Sequence, residues 1–123
     1  MRFNFESGVP IYLQVARQIE DAVLSGAFPE ETQVPSTTEI SVTYQINPAT
    51  VLKGMSLLTD QGILYKKRGV GMFVARGGAE KILHQRKKDF YDGYIIRLLE
   101  EAQKLHLSKE DVVRMIEEGQ TDE

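Results

Sequence analysis

Apolar side chains recur at helical spacing from residue 10 to 24. Ile11, Tyr12, Val15, Ala16, Ile19, Ala22 and Val23 form one stripe. Pro10 suits a first turn, and Ser25-Gly26 is a stop signal. Residues 27–35 (AFPEETQVP) hold two prolines and no helical pattern, and read as a connector. Ser36-Thr37-Thr38-Glu39 then matches a capping box, with a hydroxyl for the first free N–H groups and a carboxylate to reach back. It predicts a short helix to about Tyr44, with Ile40 and Tyr44 facing inward. After a brief turn at Gln45-Ile46, Asn47-Pro48 is a second start signal, Asn as cap and Pro in the first helical position. Val51, Met55 and Leu58 form the next stripe, to about Asp60, and Gly62 ends it.

Two β-prone runs follow, Ile63–Lys67 and Met72–Ala75, around the loop Arg68-Gly69-Val70-Gly71. They predict a hairpin. Residues 79–106 return to helical pattern, with Gly93 marking a kink or a close approach. Ser108 offers a cap for a last short helix carrying Val112, Val113, Met115 and Ile116, and the tail Gly119–Glu123 is expected to fray. The order predicts a mainly α chain with a small β-hairpin wing. A winged helix-turn-helix over residues 1–76 precedes a two-helix unit over 77–123. In that architecture the second helix of the tight pair enters the DNA major groove and the hairpin lies beside the backbone.

Composition narrows the function. With 123 residues and no Cys, most multi-domain enzymes, disulfides, thiolate zinc sites and cysteine nucleophiles are excluded. No apolar run approaches a membrane span and the N-terminus has no signal core, so a cytoplasmic protein is expected. The net charge of -3 hides a segregation: residues 1–62 carry net -4, residues 63–88 net +7 and residues 89–123 net -6. A positive stripe inside an acidic chain still meets phosphate, because salt screens the distant acids within roughly 8 Å. A solvated charged surface is the plainer alternative. His84 and His106 stand 22 residues apart with no metal-ligand spacing, and no His precedes residue 84 to serve as a base. Neither cofactor nor metal is expected, and an enzyme is not.

The second helix of the pair opens on small polar residues, Asn47, Pro48, Ala49 and Thr50. These admit close approach to DNA, while the helix dipole favours phosphate. Asn47 suits a cap, a DNA contact or both. Thr50 offers a hydroxyl or a methyl, and Lys53 lies three residues on, on the same face. In the wing, Lys66, Lys67 and Arg68 precede Gly69 and Gly71. Charge plus glycine at a hairpin tip points to phosphate or minor-groove contact, although a turn that merely needs glycine would look alike.

Together Val9-Pro10-Ile11-Tyr12, Val34-Pro35-Ser36, Ile46-Asn47-Pro48-Ala49-Thr50-Val51, Asp60-Gln61-Gly62-Ile63 and Gly69-Val70-Gly71-Met72-Phe73-Val74 resemble the successive motifs of the GntR family of bacterial transcription regulators. The Asn-Pro opening and the short C-terminal part are similar to its YtrA subfamily. The resemblance implies a two-helix dimerisation unit and DNA contacts from Ser36 and from the position held by Thr38. It also shows departures. Thr38 stands where the family has a DNA-contacting Arg, Leu52 where it has Arg or Lys, and Gly54 where Ala is usual.

The C-terminal stripe of Ile82, Phe90, Tyr94, Ile95, Leu98, Leu99, Val112 and Ile116 carries more apolar surface than two helices bury against each other. A two-fold partner is the economical place for the remainder. The reading is a homodimeric regulator binding double-stranded DNA at a two-fold related operator, its effector unspecified. A winged-helix protein-interaction module with weak or no DNA binding is the alternative.

Overall fold

In the computed structural model, which describes residues 1–119, α1 runs over Ile11–Ser25, α2 over Thr37–Tyr44 and α3 over Pro48–Asp60. The α1 stripe buries Val15, Ala16, Ile19 and Val23, and Gly26 ends the helix in the left-handed region at φ 88°. The capping box forms as the sequence predicts: the Glu39 N–H donates to Ser36 Oγ at 3.0 Å and the Ser36 N–H to Glu39 Oε1 at 2.9 Å. These bonds hold the Glu39 carboxyl below its usual pKa, the Ser36 backbone N–H being the larger cause. Ile40 is buried, whereas Tyr44 is half-buried, edge-on to Phe3 at 5.2 Å.

Gln45 turns the chain between α2 and α3 by taking a left-handed φ of 55°. Buried Ser41 fixes that turn, its Oγ donating to the Ile46 carbonyl at 2.6 Å. Val51, Met55 and Leu58 on α3 close the core with Ile63 and Leu64. Gly54 is the point where α3 meets α1. A Cβ there would lie 2.6 Å from the Tyr12 carbonyl oxygen, so the site needs glycine for closeness, whatever its helix propensity.

The hairpin pairs β1 (Leu64–Lys67) with β2 (Gly71–Val74), Leu64 opposite Val74 and Lys67 opposite Gly71. Leu64 and Val74 share the core face, while Tyr65 stacks on Phe73 at 5.8 Å on the other. The connector does more than the sequence reading assigned it. Gln33 bridges Phe73, the Val34 N–H donates to the Met72 carbonyl at 2.9 Å, and the Val74 N–H donates to the Thr32 carbonyl at 3.0 Å. Prolines and glutamates masked that third pairing partner. The N-terminal residues are also tied down, the Gln14 side chain bonding the Asn4 N–H and carbonyl, both at 2.8 Å.

Two compact units result, Met1–His84 and Gln85–Glu123, so the first extends beyond the expected boundary at 76. The reason is α4 (Gly78–Phe90), whose first turns belong to the first unit: Ile82 is fully buried in its core, and the Glu30 carboxylate accepts from the Gly77 N–H at 3.0 Å. The predicted kink at Gly93 is a π-helical turn over Tyr91–Ile95. A Cβ on Gly93 would meet nothing within 4 Å, so no close approach within the described residues explains it. In the second unit α5 (Ile96–Lys104) ends where His106 takes the left-handed position, φ 60°, and the Leu107 N–H donates to the Ala102 carbonyl at 2.8 Å. Ser108 caps α6 (Lys109–Glu118) in a second capping box with Asp111. The fraying expected beyond Gly119 falls outside the described residues. No helix among those described is long and apolar enough to cross a membrane.

Candidate nucleic-acid interface

The core fixes which side of α3 looks outward. With Val51, Gly54, Met55 and Leu58 buried, the open face consists of Ala49, Leu52, Lys53 and Ser56. The Asn47 side chain accepts from the Ala49 N–H at 2.8 Å, so it caps its own helix while remaining exposed. Pro48 is exposed and Thr50 is half-exposed. Lys53 is not extended: its Nζ sits 4.1 Å from the centre of the Tyr12 ring, a cation–π contact that draws it towards α1. Ser36 is engaged in its capping box, whereas Thr38 is exposed on the first turn of α2.

The wing cations do not act as one cluster. Strand alternation sends Lys66 and Lys67 to opposite faces of the hairpin. Lys67 Nζ lies over the Phe73 ring at 4.3 Å, on the aromatic face, and Arg68 is exposed in the turn. Gly69, at φ 77°, permits that turn, closed by the Val70 N–H donating to the Lys67 carbonyl at 2.9 Å. Gly71 leaves room for the Gln33 amide, which donates to the Val70 carbonyl at 2.9 Å. Both glycines thus serve the hairpin's own construction. The wider positive stripe is also divided. Lys81 donates to the Gly62 carbonyl at 3.3 Å, and Lys87 and Lys88 belong to the second unit.

Among the proposed dimer residues, Ile82 is corrected to a core residue of the first unit, with no surface left for a partner. Val112 is buried in the second unit beside Ala102, while Ile95 and Leu99 are half-buried. Phe90, Tyr94, Leu98 and Ile116 are exposed, and Phe90 and Tyr94 pair at 5.5 Å. Leu98, Leu105, Val112, Met115 and Ile116 line an apolar groove of about 350 Å³. Among the described residues no three His, Asp or Glu side chains converge to hold a metal ion. Sequence reasoning missed Tyr12 and Gln33, because each acts on the candidate interface through a contact distant in sequence.

The stretch from α1 to β2 coincides with a known family. A family profile described as "Bacterial regulatory proteins, gntR family" matches residues 11–74, more than half of the chain. The chain belongs to the gntR family. Among its relatives, the HTH-type transcriptional repressor NagR of Bacillus subtilis (strain 168) is 31% identical over 83 residues. That match takes in 68% of this chain and 34% of NagR, so the chain spans about a third of NagR's length. A putative gntR-family transcriptional regulator from Bacteroides thetaiotaomicron has a similar solved structure. Its TM-score is 0.76 at 34% identity, covering 88% of this chain and 94% of that one. A structure of the AraR DNA-binding domain in complex with operator ORE1 matches with TM-score 0.54 and 28% identity, over 60% of this chain and 90% of that one. The likeness to the Bacteroides thetaiotaomicron structure supports the winged-helix architecture, with its hairpin and C-terminal helices.

Proposed function

We propose that this chain is a sequence-specific DNA-binding transcription regulator of the YtrA subfamily, acting as a homodimer on a two-fold related operator. The observation that carries the DNA-binding reading is the α2–α3 pair. Ser41 and Gln45 lock its turn, and α3 keeps one face in the core and the opposite face open along its length. That is the arrangement in which a recognition helix enters a major groove. The likeness to a DNA-binding domain solved on its operator supports it. The Asn47-Pro48 opening supports the subfamily.

In this reading Ser36, Thr38, Asn47, Pro48, Ala49 and Thr50 approach the DNA through the α2 and α3 N-termini. Lys53, Lys66, Lys67, Arg68, Gly69 and Gly71 add backbone contacts. The chemistry is occupancy: phosphate contacts set the register, base edges give sequence, and transcription changes because the site is filled. The exposed Phe90, Tyr94, Leu98 and Ile116, with half-buried Ile95 and Leu99, form the dimer contact. Two copies then hold two recognition helices one DNA turn apart, about 34 Å.

Sedimentation of the full chain, alone and with DNA recovered from a random pool, tests both parts. A dimer alone, and one dimer per two-fold site, is the expected result. A monomer at tens of micromolar overturns the dimer, and failure to retain any duplex overturns DNA binding in favour of a protein-interaction module.

A further inference from the structure

The open face of α3 carries no arginine, and its one lysine is engaged elsewhere. Its sequence, PATVLKGMSLLTD, contains no Arg, Asn or Gln, and its one basic residue is Lys53. Lys53 Nζ is drawn over the Tyr12 ring at 4.1 Å. Asn47, just before the helix, has its carbonyl oxygen on the Ala49 N–H. The forked donors that grip guanine O6 and N7, and the amides that pair with adenine, are therefore absent from this helix.

Methyl groups take their place. Leu52 is 56% exposed, and nothing in the core holds it there, since α3 packs inward through Val51, Met55 and Leu58. Ala49 is exposed three residues earlier, the spacing that brings two side chains together on one helix face. In the major groove the feature that matches an apolar side chain is the C5-methyl of thymine, which only A·T pairs carry.

Resting on the DNA-binding reading above, we propose that Leu52 is a specificity-determining residue that, with Ala49, reads thymine methyl groups. Each half-site is then centred on A·T pairs where a basic side chain would demand guanine. The full-length chain is used to select duplexes from a random pool, and each thymine of the recovered half-site is replaced by deoxyuridine. That change removes the methyl and leaves every hydrogen-bonding group.

At the contacted thymines the replacement should weaken binding about fourfold, the worth of one buried methyl group. With Leu52→Ala, the replacement at the thymine that Leu52 contacts should change binding less than twofold. Leu52→Arg, at an exposed position, should move the selected base to guanine. Half-sites indifferent to deoxyuridine, or guanine-centred half-sites for the unaltered chain, overturn the inference and leave DNA binding standing. Retention of no duplex overturns both.

Discussion

Replacing Gly54 by alanine sets two effects against each other in one methyl group. Helix propensity favours alanine in a helix interior by about 1 kcal/mol. The packing opposes it. The new Cβ would lie 2.6 Å from the Tyr12 carbonyl oxygen and 3.0 Å from Cβ and Cγ1 of Val15. An ordinary carbon–oxygen contact is about 3.3 Å or more, so α1 and α3 must separate by roughly 0.7 Å. Both neighbours are held firmly: Tyr12 contributes backbone, and Val15 is fully buried. Overpacking of this kind costs about 1–3 kcal/mol, and the upper half of that range applies where backbone must move. Gly54→Ala should therefore destabilise the protein by about 1–2 kcal/mol net, lowering the unfolding midpoint of the first unit by roughly 5–15 °C. Ser56→Ala, on the exposed face of the same helix, is the control, with propensity alone adding about 0.5 kcal/mol. Thermal and urea unfolding of the full-length variants give both values. A Gly54→Ala protein as stable as the parent, or more so, would refute the close-contact argument.

Three further outcomes are expected. Glu39 titrates below the ordinary 4.5 in the folded chain, so its contribution is full above that value and lost as pH falls through the folded pKa. The midpoint difference between the parent and Glu39→Gln should accordingly shrink between pH 6 and pH 3, and a constant difference would exclude the charge. Changing Lys66, Lys67 and Arg68 together to Ala should weaken binding to every duplex. It should also flatten log affinity against log salt by about 0.9 for each phosphate left without its cation, whereas an unchanged slope removes the wing from the interface. Ile116→Asp, at a side chain 66% exposed, should leave the fold intact by circular dichroism and turn the proposed dimer into a monomer in sedimentation. A persisting dimer would move the subunit interface elsewhere.

Local chemistry made much of this fold legible. The Ser36–Glu39 capping box, the Ser108 cap, the Asn-Pro opening and the stripe of Val51, Met55 and Leu58 each depend on residues within a turn or two of each other, and each forms as read. Long-range contacts did not announce themselves. The pairing of Gln33 with Phe73 joins residues 40 apart, and a connector holding two prolines gives no strand periodicity to betray it. Gly54 reads only as a departure from the family's usual alanine until α1 is placed against it. Ile82 reads as part of a C-terminal stripe because periodicity reveals that a face is apolar, not which neighbour covers it. For the candidate interface, composition identified the basic wing, while alternation along β1 and the Phe73 ring decide where Lys67 goes.

The strut from Gln33 to the Val70 carbonyl has a bearing on how such proteins are recombined. The hairpin tip takes its support from a side chain 37 residues upstream of it. A chimaera that transplants only residues 64–74 into another winged helix would leave that amide behind, with an unoccupied notch over Gly71. The graftable piece is therefore discontinuous. It comprises the hairpin together with the Thr32-Gln33-Val34 segment that braces it, and the two parts have to be inherited as a pair.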